Sequence, residues 1–180
     1  MKPQHFIPFL LLFFTCCLYA QDAKKPTLFA IGTGVGFSGM QHSESQLSAG
    51  IDINGKWNTQ FLGARLNVNK EIVIWETAHK AVEGAVYWGK YLLSDDGKNM
   101  VSFGIGPSLG TYYLYGRKMS SNFGSVYQLV PHTTFGLALD VQGGINFGPH
   151  VGLGVHCFAS INPVANIAGA LLCLRIGTLQ

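Results

Sequence analysis

Apolar residues recur at every second position through most of the chain, with glycine or polar residues between them. The clearest segment is residues 135–147, where Phe135, Leu137, Leu139 and Val141 share one face and Asp140 and Gln142 lie on the other. A period of two is that of a β-strand whose two faces meet different surroundings. This segment is therefore predicted to be an amphipathic strand.

Seven other segments show the same alternation and are separated by turn residues. They cover residues 28–37, 47–54, 62–69, 81–93, 100–115, 151–162 and 168–176, of which 81–93 is the least regular. About eight strands, an even number, suit a closed antiparallel up-and-down barrel. The pattern therefore predicts an all-β fold of this kind.

The connections between these strands alternate in length. The links near 57–60, 94–99 and 148–150 are short, whereas those near 39–46, 70–80 and 116–132 are long, and only the link at 162–166 departs from the trend. Short turns at one end and long loops at the other are typical of outer-membrane barrels, in which the short turns face the periplasm.

The charge content favours a membrane over water around this barrel. Only 12% of residues are charged and 48% are apolar, whereas a water-exposed surface carries about 25–35% charged residues. Aromatic pairs at the ends of two predicted strands, Phe103 with Tyr115 and Phe135 with Phe147, stand about 28 Å apart along the membrane normal, close to the expected apolar band. A soluble lipocalin-like ligand-binding barrel, with the apolar face turned inward, is the alternative.

The first twenty residues are predicted to be a cleaved signal peptide. Lys2 precedes the apolar run Phe6 to Phe14, and Ala20 offers a small residue at the cut. The run is too short for a spanning helix, which needs about twenty residues. Processing as a lipoprotein at Cys16 or Cys17 is the alternative. The remaining 21–180 form a single barrel domain.

The polar face of the strands predicts a network of charged groups inside the barrel. An eight-stranded barrel is only wide enough for side chains to fill it, so buried charges there must be paired. We expect a plugged interior more than the open path of a narrow porin. The predicted interior residues are Asp52, Lys56, Arg65, Lys90, Asp140, His156 and Arg175.

The long loops are the predicted place for any binding to other molecules, since loops on a rigid scaffold often carry recognition. Trp75, Phe123 and Tyr127 are the candidate contacts for an extracellular partner or a glycan, although such residues also extend strands or cap a barrel mouth. A lipid-modifying enzyme at the rim is an alternative with candidates His79, His132, Ser120, Ser121, Glu76 and Glu83. No catalytic group, cofactor or metal ligand is assigned.

Two other features argue against specific ligands. Residues 34–39 match the dinucleotide fingerprint G-x-G-x-x-G, but a polar loop follows where that motif needs a helix. The net charge of +3 is small and dispersed, so no nucleic-acid partner is expected.

Cys157 and Cys173 fall on opposite faces of their strands, which predicts two separate thiols.

The segment 135–177, FGLALDVQGGINFGPHVGLGVHCFASINP followed by AGALLCLRIG, resembles the outer-membrane β-barrel superfamily of small OmpA- and OmpX-type proteins from Gram-negative bacteria. The resemblance implies an integral outer-membrane protein in contact with outer-membrane lipid. It also implies that the barrel-assembly machinery recognises the last strand, in which Gly169, Leu172 and Leu174 resemble the family's signal. The customary terminal aromatic is absent, and the chain ends Thr178-Leu179-Gln180.

Overall fold

The computed structural model describes residues 28–41, 45–72, 78–119 and 126–179. These residues form eight strands: β1 (Leu28–Met40), β2 (Ser45–Trp57), β3 (Gln60–Glu71), β4 (Lys80–Leu93), β5 (Asn99–Met119), β6 (Val126–Asn146), β7 (Val151–Ile161) and β8 (Ile167–Thr178). The predicted signal peptide, residues 1–20, lies outside the described ranges. In those ranges no helix has the length and apolar character needed to cross a membrane.

Each strand pairs antiparallel with its neighbour in sequence, and β8 pairs with β1 to close the barrel. The predicted up-and-down barrel of eight strands is confirmed. Closure leaves the ring without an open edge, so the backbone groups of the barrel wall are satisfied by neighbouring strands.

The apolar faces of the strands point outward. Leu137, Leu172 and Leu174 are exposed on the outer surface, whereas Asp140 and Arg175 are buried inside at 1% and 4% exposure. A soluble barrel would have the reverse orientation, with its apolar side chains in a dry centre. The orientation predicted from the period of two is therefore confirmed, and the inward apolar face of the lipocalin-like alternative is wrong.

The long link predicted at 116–132 is mostly strand. β5 and β6 continue as one hairpin far beyond the barrel wall: β4 pairs with β5 only up to Tyr113, and β7 pairs with β6 only from Leu137 onward. A register shift between Tyr115 and Lys118 marks a bulge in this extension. Pro131 lies on its free edge, where a missing N–H discourages pairing with another chain.

Glycine-rich positions allow the strands to approach one another inside the barrel. The G-x-G-x-x-G segment, residues 34–39, lies wholly within β1, so no helix follows it as a nucleotide site requires. Glycine at alternate positions also relieves crowding here, because a Cβ at Gly36 would clash with the backbone of Ala170. Cys157 is exposed and Cys173 buried, both as free thiols, as the alternation predicted.

Candidate functional site

A charged cluster occupies the centre of the barrel. Arg65 of β3 donates from Nη2 to Glu83 Oε1 at 2.8 Å and from Nη1 to Asp140 Oδ2 at 2.7 Å, and all three side chains are essentially inaccessible to solvent. His156 Nε2 lies 2.7 Å from the same Asp140 oxygen. The alternation of each strand directs these side chains inward, where a charge is tolerated because it is paired.

Amides and a phenol extend this cluster across the barrel. Asn54 Nδ2 donates to Asp52 Oδ2, and Gln142 Nε2 donates to Asp140 Oδ1 at 3.2 Å. Tyr87 donates from its hydroxyl to Asn54 Oδ1 at 3.2 Å. Asp140 is thereby held by a neutral donor as well as by Arg65, and Asp52 is held by a neutral donor.

Further polar contacts fill the barrel toward the long-loop end. Tyr112 donates its hydroxyl proton to Glu83 Oε2 at 2.8 Å and accepts from Asn162 Nδ2 at 2.9 Å. Ser108 of β5 and Ser160 of β7 share a hydrogen bond of 2.8 Å on the inner side of β6, beside Gly136. These bonds link β4, β5 and β7 along the inner face of the barrel wall.

The short-turn end is filled mainly by long side chains. Lys56 Nζ lies 4.0 Å from the centre of the Tyr91 ring, and Arg175 contacts Met100 Sδ. A cavity of about 10 Å³, lined in part by Asn54, Lys56 and Arg175, lies between them. That volume holds about one water molecule.

The structure places six of the seven predicted interior residues on the inner face. Asp52, Arg65, Asp140, His156 and Arg175 are buried, and Lys56 points inward but is partly exposed. The prediction that Lys90 lies inside the barrel is wrong, because Lys90 is exposed on the outer face. Lys90 pairs with Gln60 beside the short turn, so its ammonium group can reach the interfacial water at the edge of the apolar surface.

The rim at the long-loop end carries an acid, a histidine and two tyrosines. Glu71 Oε2 accepts from the backbone N–H of His79 at 2.9 Å and from the Tyr115 hydroxyl at 3.0 Å, and it lies 3.1 Å from His79 Nδ1. The Tyr115 ring stacks on His79 at 3.6 Å and on Tyr127 at 4.8 Å. Tyr115 was predicted to belong to the outward aromatic girdle, but its hydroxyl turns to Glu71 instead.

The structure describes one of the three candidate loop contacts. Tyr127 lies in β6 rather than in a loop, because the β5–β6 hairpin continues past the barrel wall. Trp75 and Phe123 lie outside the described residues. Glu71 was missed in the sequence, although the alternation of β3 through Asn67 and Asn69 places it on the inner face.

The same end of the barrel is basic on its outer side. Lys70 of β3 pairs directly with Lys80 of β4, whose Nζ lies 4.2 Å from the centre of the Tyr113 ring. Arg117 and Lys118 are exposed on the extension of β5. Among the described residues toward this end, the acids Glu71 and Glu83 are both buried, so the exposed charges there are positive.

The residues considered for a lipid-modifying enzyme are engaged elsewhere or lie outside the description. His79 contacts Glu71, and Glu83 accepts from Arg65 and Tyr112. His132 is exposed on the protruding hairpin. Ser120, Ser121 and Glu76 are not among the described residues, so the placed members alone supply no nucleophile with a base.

Comparison with solved structures identifies the fold. The chain is similar to Ail, the attachment invasion locus protein of Yersinia pestis (TM-score 0.56, 11% identity, 83% of this chain and 96% of that one). It is similar to Neisserial surface protein A (0.60, 12%, 84% and 97%) and to the N-terminal β-barrel domain of Pseudomonas aeruginosa OprF (0.58, 6%, 86% and 99%). No protein-family model matches the sequence, and no curated protein matches it either.

These likenesses confirm the predicted resemblance to small OmpA- and OmpX-type barrels at the level of the fold. Ail is described as an outer membrane protein and has been studied in a phospholipid bilayer nanodisc. It has also been crystallised with the heparin analogue sucrose octasulfate. The comparison shows that this chain has the fold of a small eight-stranded barrel.

Proposed function

We propose that this chain is an integral outer-membrane protein with a closed interior, and that the basic rim at its long-loop end binds anionic groups at the cell surface. The observation that carries the first part is the outward apolar surface of a closed barrel. Leucine, isoleucine, valine and phenylalanine side chains cover all eight strands on the outside, and so large an apolar surface needs lipid around it.

Cations and aromatic rings at both edges of this surface support the membrane placement. Lys90, beside the short turn, and Lys80, over the Tyr113 ring, both point outward at opposite ends of the barrel wall. Long basic side chains reach from an apolar surface to the polar headgroups, and aromatic rings prefer the same depth. The lipid-facing band would end at these residues.

The membrane placement has a direct test. We expect the folded protein in the outer-membrane fraction, with a mobility on detergent gels that changes after boiling, because a closed barrel resists the detergent when cold. Recovery of the folded chain in the soluble periplasmic fraction would contradict the proposal.

The packed interior supports a barrel without conductance. Arg65 of β3 reaches Asp140 of β6 across the barrel, and the Tyr112–Glu83 and Ser108–Ser160 bonds add packed polar side chains to the inner wall. A hydrated ion cannot pass unless these contacts break. We expect no discrete current steps in planar bilayers, and reproducible ohmic channels from the purified protein would instead favour the narrow porin.

The surface-binding role rests on the exposed positive charges among the described residues of the long-loop rim. Arg117 and Lys118 project above the barrel wall, and Lys70 and Lys80 lie below them on the outer face. Sulfate and phosphate groups are the natural partners of such charges. The complex of Ail with a sulfated heparin analogue is consistent with this chemistry on the same fold.

Sucrose octasulfate is a suitable probe for this role. Replacing both Arg117 and Lys118 with Gln is expected to weaken its binding about tenfold at low salt, since each exposed ion pair contributes up to about 1 kcal/mol. The matched control replaces Lys90 and Lys98 with Gln at the other end and should bind as the parent does. Equal loss in both double variants would show non-specific attraction.

Export and assembly complete the proposal. The chain would lose residues 1–20 on export, and the mass of the purified protein should correspond to a start at Gln21 rather than to a lipidated Cys16 or Cys17. The barrel-assembly machinery would recognise β8, which closes the ring against β1. Leu179 is buried directly after β8 and stands near the place of the family's terminal aromatic.

A further inference from the structure

Three side chains that can bind a metal converge inside the barrel wall. Asp52 of β2, His156 of β7 and Cys173 of β8 are all buried, and their ligating atoms lie within 4.8 Å of one another. His156 Nδ1 lies 3.8 Å from Asp52 Oδ1. In a tetrahedral zinc site, with bonds of about 2.0–2.3 Å, ligand atoms are about 3.3–3.8 Å apart. A shift of about 1 Å would therefore bring these three atoms to zinc-binding distance.

Neighbouring groups already orient two of the three ligands. His156 uses Nε2 on Asp140, which leaves Nδ1 toward Asp52. Asp52 accepts from Asn54 at Oδ2, which leaves Oδ1 toward His156. A carboxylate on the far nitrogen of a histidine is the usual outer-shell partner of a metal-bound imidazole. Arg65 in turn fixes Asp140, so this arrangement is rigid.

Glycines of β1 make room for Asp52 and Cys173. β1 runs between β2 and β8, and at this level it carries Gly32 and Gly34. A Cβ at Gly32 would clash with Asp52 Oδ1, and a Cβ at Gly34 would clash with Cys173 Sγ. Only a bare backbone here lets side chains from strands on both sides of β1 approach each other.

The proposed site lies among buried carboxyl groups. Asp52 and Asp140 both face His156, at 3.8 Å and 2.7 Å, and carboxylates are favourable neighbours of a bound cation. The guanidinium group of Arg175 is also buried and acts against a second cation nearby.

We propose that Asp52, His156 and Cys173 form a binding site for a single Zn²⁺ ion inside the barrel. One oxygen, one imidazole nitrogen and one thiolate suit zinc or another borderline transition ion, and do not suit calcium or magnesium. The ligands come from β2, β7 and β8, so the site exists only once β8 has closed the barrel on β1. The ion enters as the barrel forms and is enclosed there.

The experiment uses the mature protein purified from membranes, unfolded, and refolded in detergent with Zn²⁺ or Co²⁺ and then desalted. Elemental analysis should find about one zinc per barrel in the parent and in Cys157→Ser, and less than about a tenth as much in Cys173→Ser and His156→Gln. Cys157 is the matched control because it is the exposed, outward thiol. Heat-modified gel mobility checks that each variant has folded.

Cobalt supplies a second readout that does not need the Cys173 variant to fold. A thiolate-to-cobalt charge-transfer band in refolded Cys157→Ser identifies Cys173 as the ligand. Refolding with zinc should also raise the temperature at which the heat-modified gel shift occurs, compared with refolding in chelator, because the ion binds the folded state. The proposal is overturned if the parent retains no zinc and shows no cobalt band, or if Cys173→Ser retains as much zinc as Cys157→Ser.

Discussion

Replacing Arg65 with Met tests whether the interior of the barrel is held by paired charges. Arg65 neutralises Glu83 and Asp140 at 2.8 and 2.7 Å, with all three side chains inaccessible to solvent. Removing it leaves both carboxylates without this partner and changes the formal charge of the cluster formed by Asp52, Glu83, Asp140, Arg65 and Arg175 from −1 to −2.

The size of the effect follows from the two ion pairs. With charge centres about 4 Å apart and an effective dielectric constant near 20, each pair contributes roughly 4 kcal/mol of attraction. Desolvation of the three groups offsets much of this gain, and removing one partner of a buried pair costs about 3–5 kcal/mol in practice. We therefore expect the free energy of unfolding to fall by about 4 kcal/mol.

The assay is guanidinium unfolding of the barrel in lipid vesicles, with chelator present, followed by tryptophan fluorescence. Trp88 points outward into the lipid of the vesicle, so its fluorescence changes when unfolding removes it from the lipid. A loss of about 4 kcal/mol moves the midpoint by about 1 M guanidinium. Lys90→Met is the control, because it removes the same charge from the outer face and should change stability by less than about 0.5 kcal/mol.

A compensating variant separates charge from shape. Adding Glu83→Gln to Arg65→Met returns the formal charge of the cluster to −1. We expect the double variant to recover at least about 1.4 kcal/mol of the free energy of unfolding that Arg65→Met loses, since substitutions of residues in contact are not additive. If Arg65→Met costs no more than Lys90→Met, the interior is hydrated and the argument for a closed barrel fails.

Two further outcomes are expected. Gly34→Ala should lower the free energy of unfolding by about 1–3 kcal/mol, because the added Cβ would clash with Cys173. Gly143→Ala is the control and should be neutral, because its Cβ would meet nothing within 4 Å. Equal effects of the two substitutions in guanidinium unfolding would refute the steric argument. In the β4–β5 turn, hydrogen bonds from Ser94 Oγ and the backbone N–H of Lys98 hold the pKa of Asp96 below its ordinary value. Because this pKa is depressed, Asp96 stabilises the turn at pH above the unfolded-state pKa, and this stabilisation is lost as pH falls through the folded-state pKa. Ser94→Ala should raise the pKa of Asp96 in an NMR titration. An unchanged pKa would show that the Ser94 hydrogen bond has no effect.

Alternation revealed the barrel because the two faces of each strand meet different surroundings. Wherever a strand has lipid on one side and a packed polar interior on the other, its period of two shows directly in the sequence, as in residues 135–147. β4 was harder because the large apolar rings Tyr87 and Tyr91 point inward there. Apolar character then marks both faces, which explains why Lys90 was assigned to the wrong side.

The sequence did not reveal the hairpin beyond the barrel wall for a related reason. Beyond the wall no buried surface requires alternation, so residues 116–132, with glycine, serine and basic side chains, have the composition of a loop. Backbone pairing between β5 and β6 nonetheless continues to Met119 and Val126. Pairing of this kind depends on the partner strand and leaves no periodic signature in either segment alone.

The convergence of Asp52, His156 and Cys173 depends on the register between paired strands and not on the spacing of the three residues along the sequence. Each residue could be assigned to the inner face from its own strand, but their common level depends on how β1 pairs with both of its neighbours. Gly32 lies opposite Asp52 on one side, and Gly34 lies opposite Cys173 on the other. A shift of β8 by two residues would keep every apolar side chain in lipid and still move Cys173 by about 7 Å. The period of two therefore establishes which face a residue occupies, while the chemistry inside the barrel depends on the register at which the ring closes.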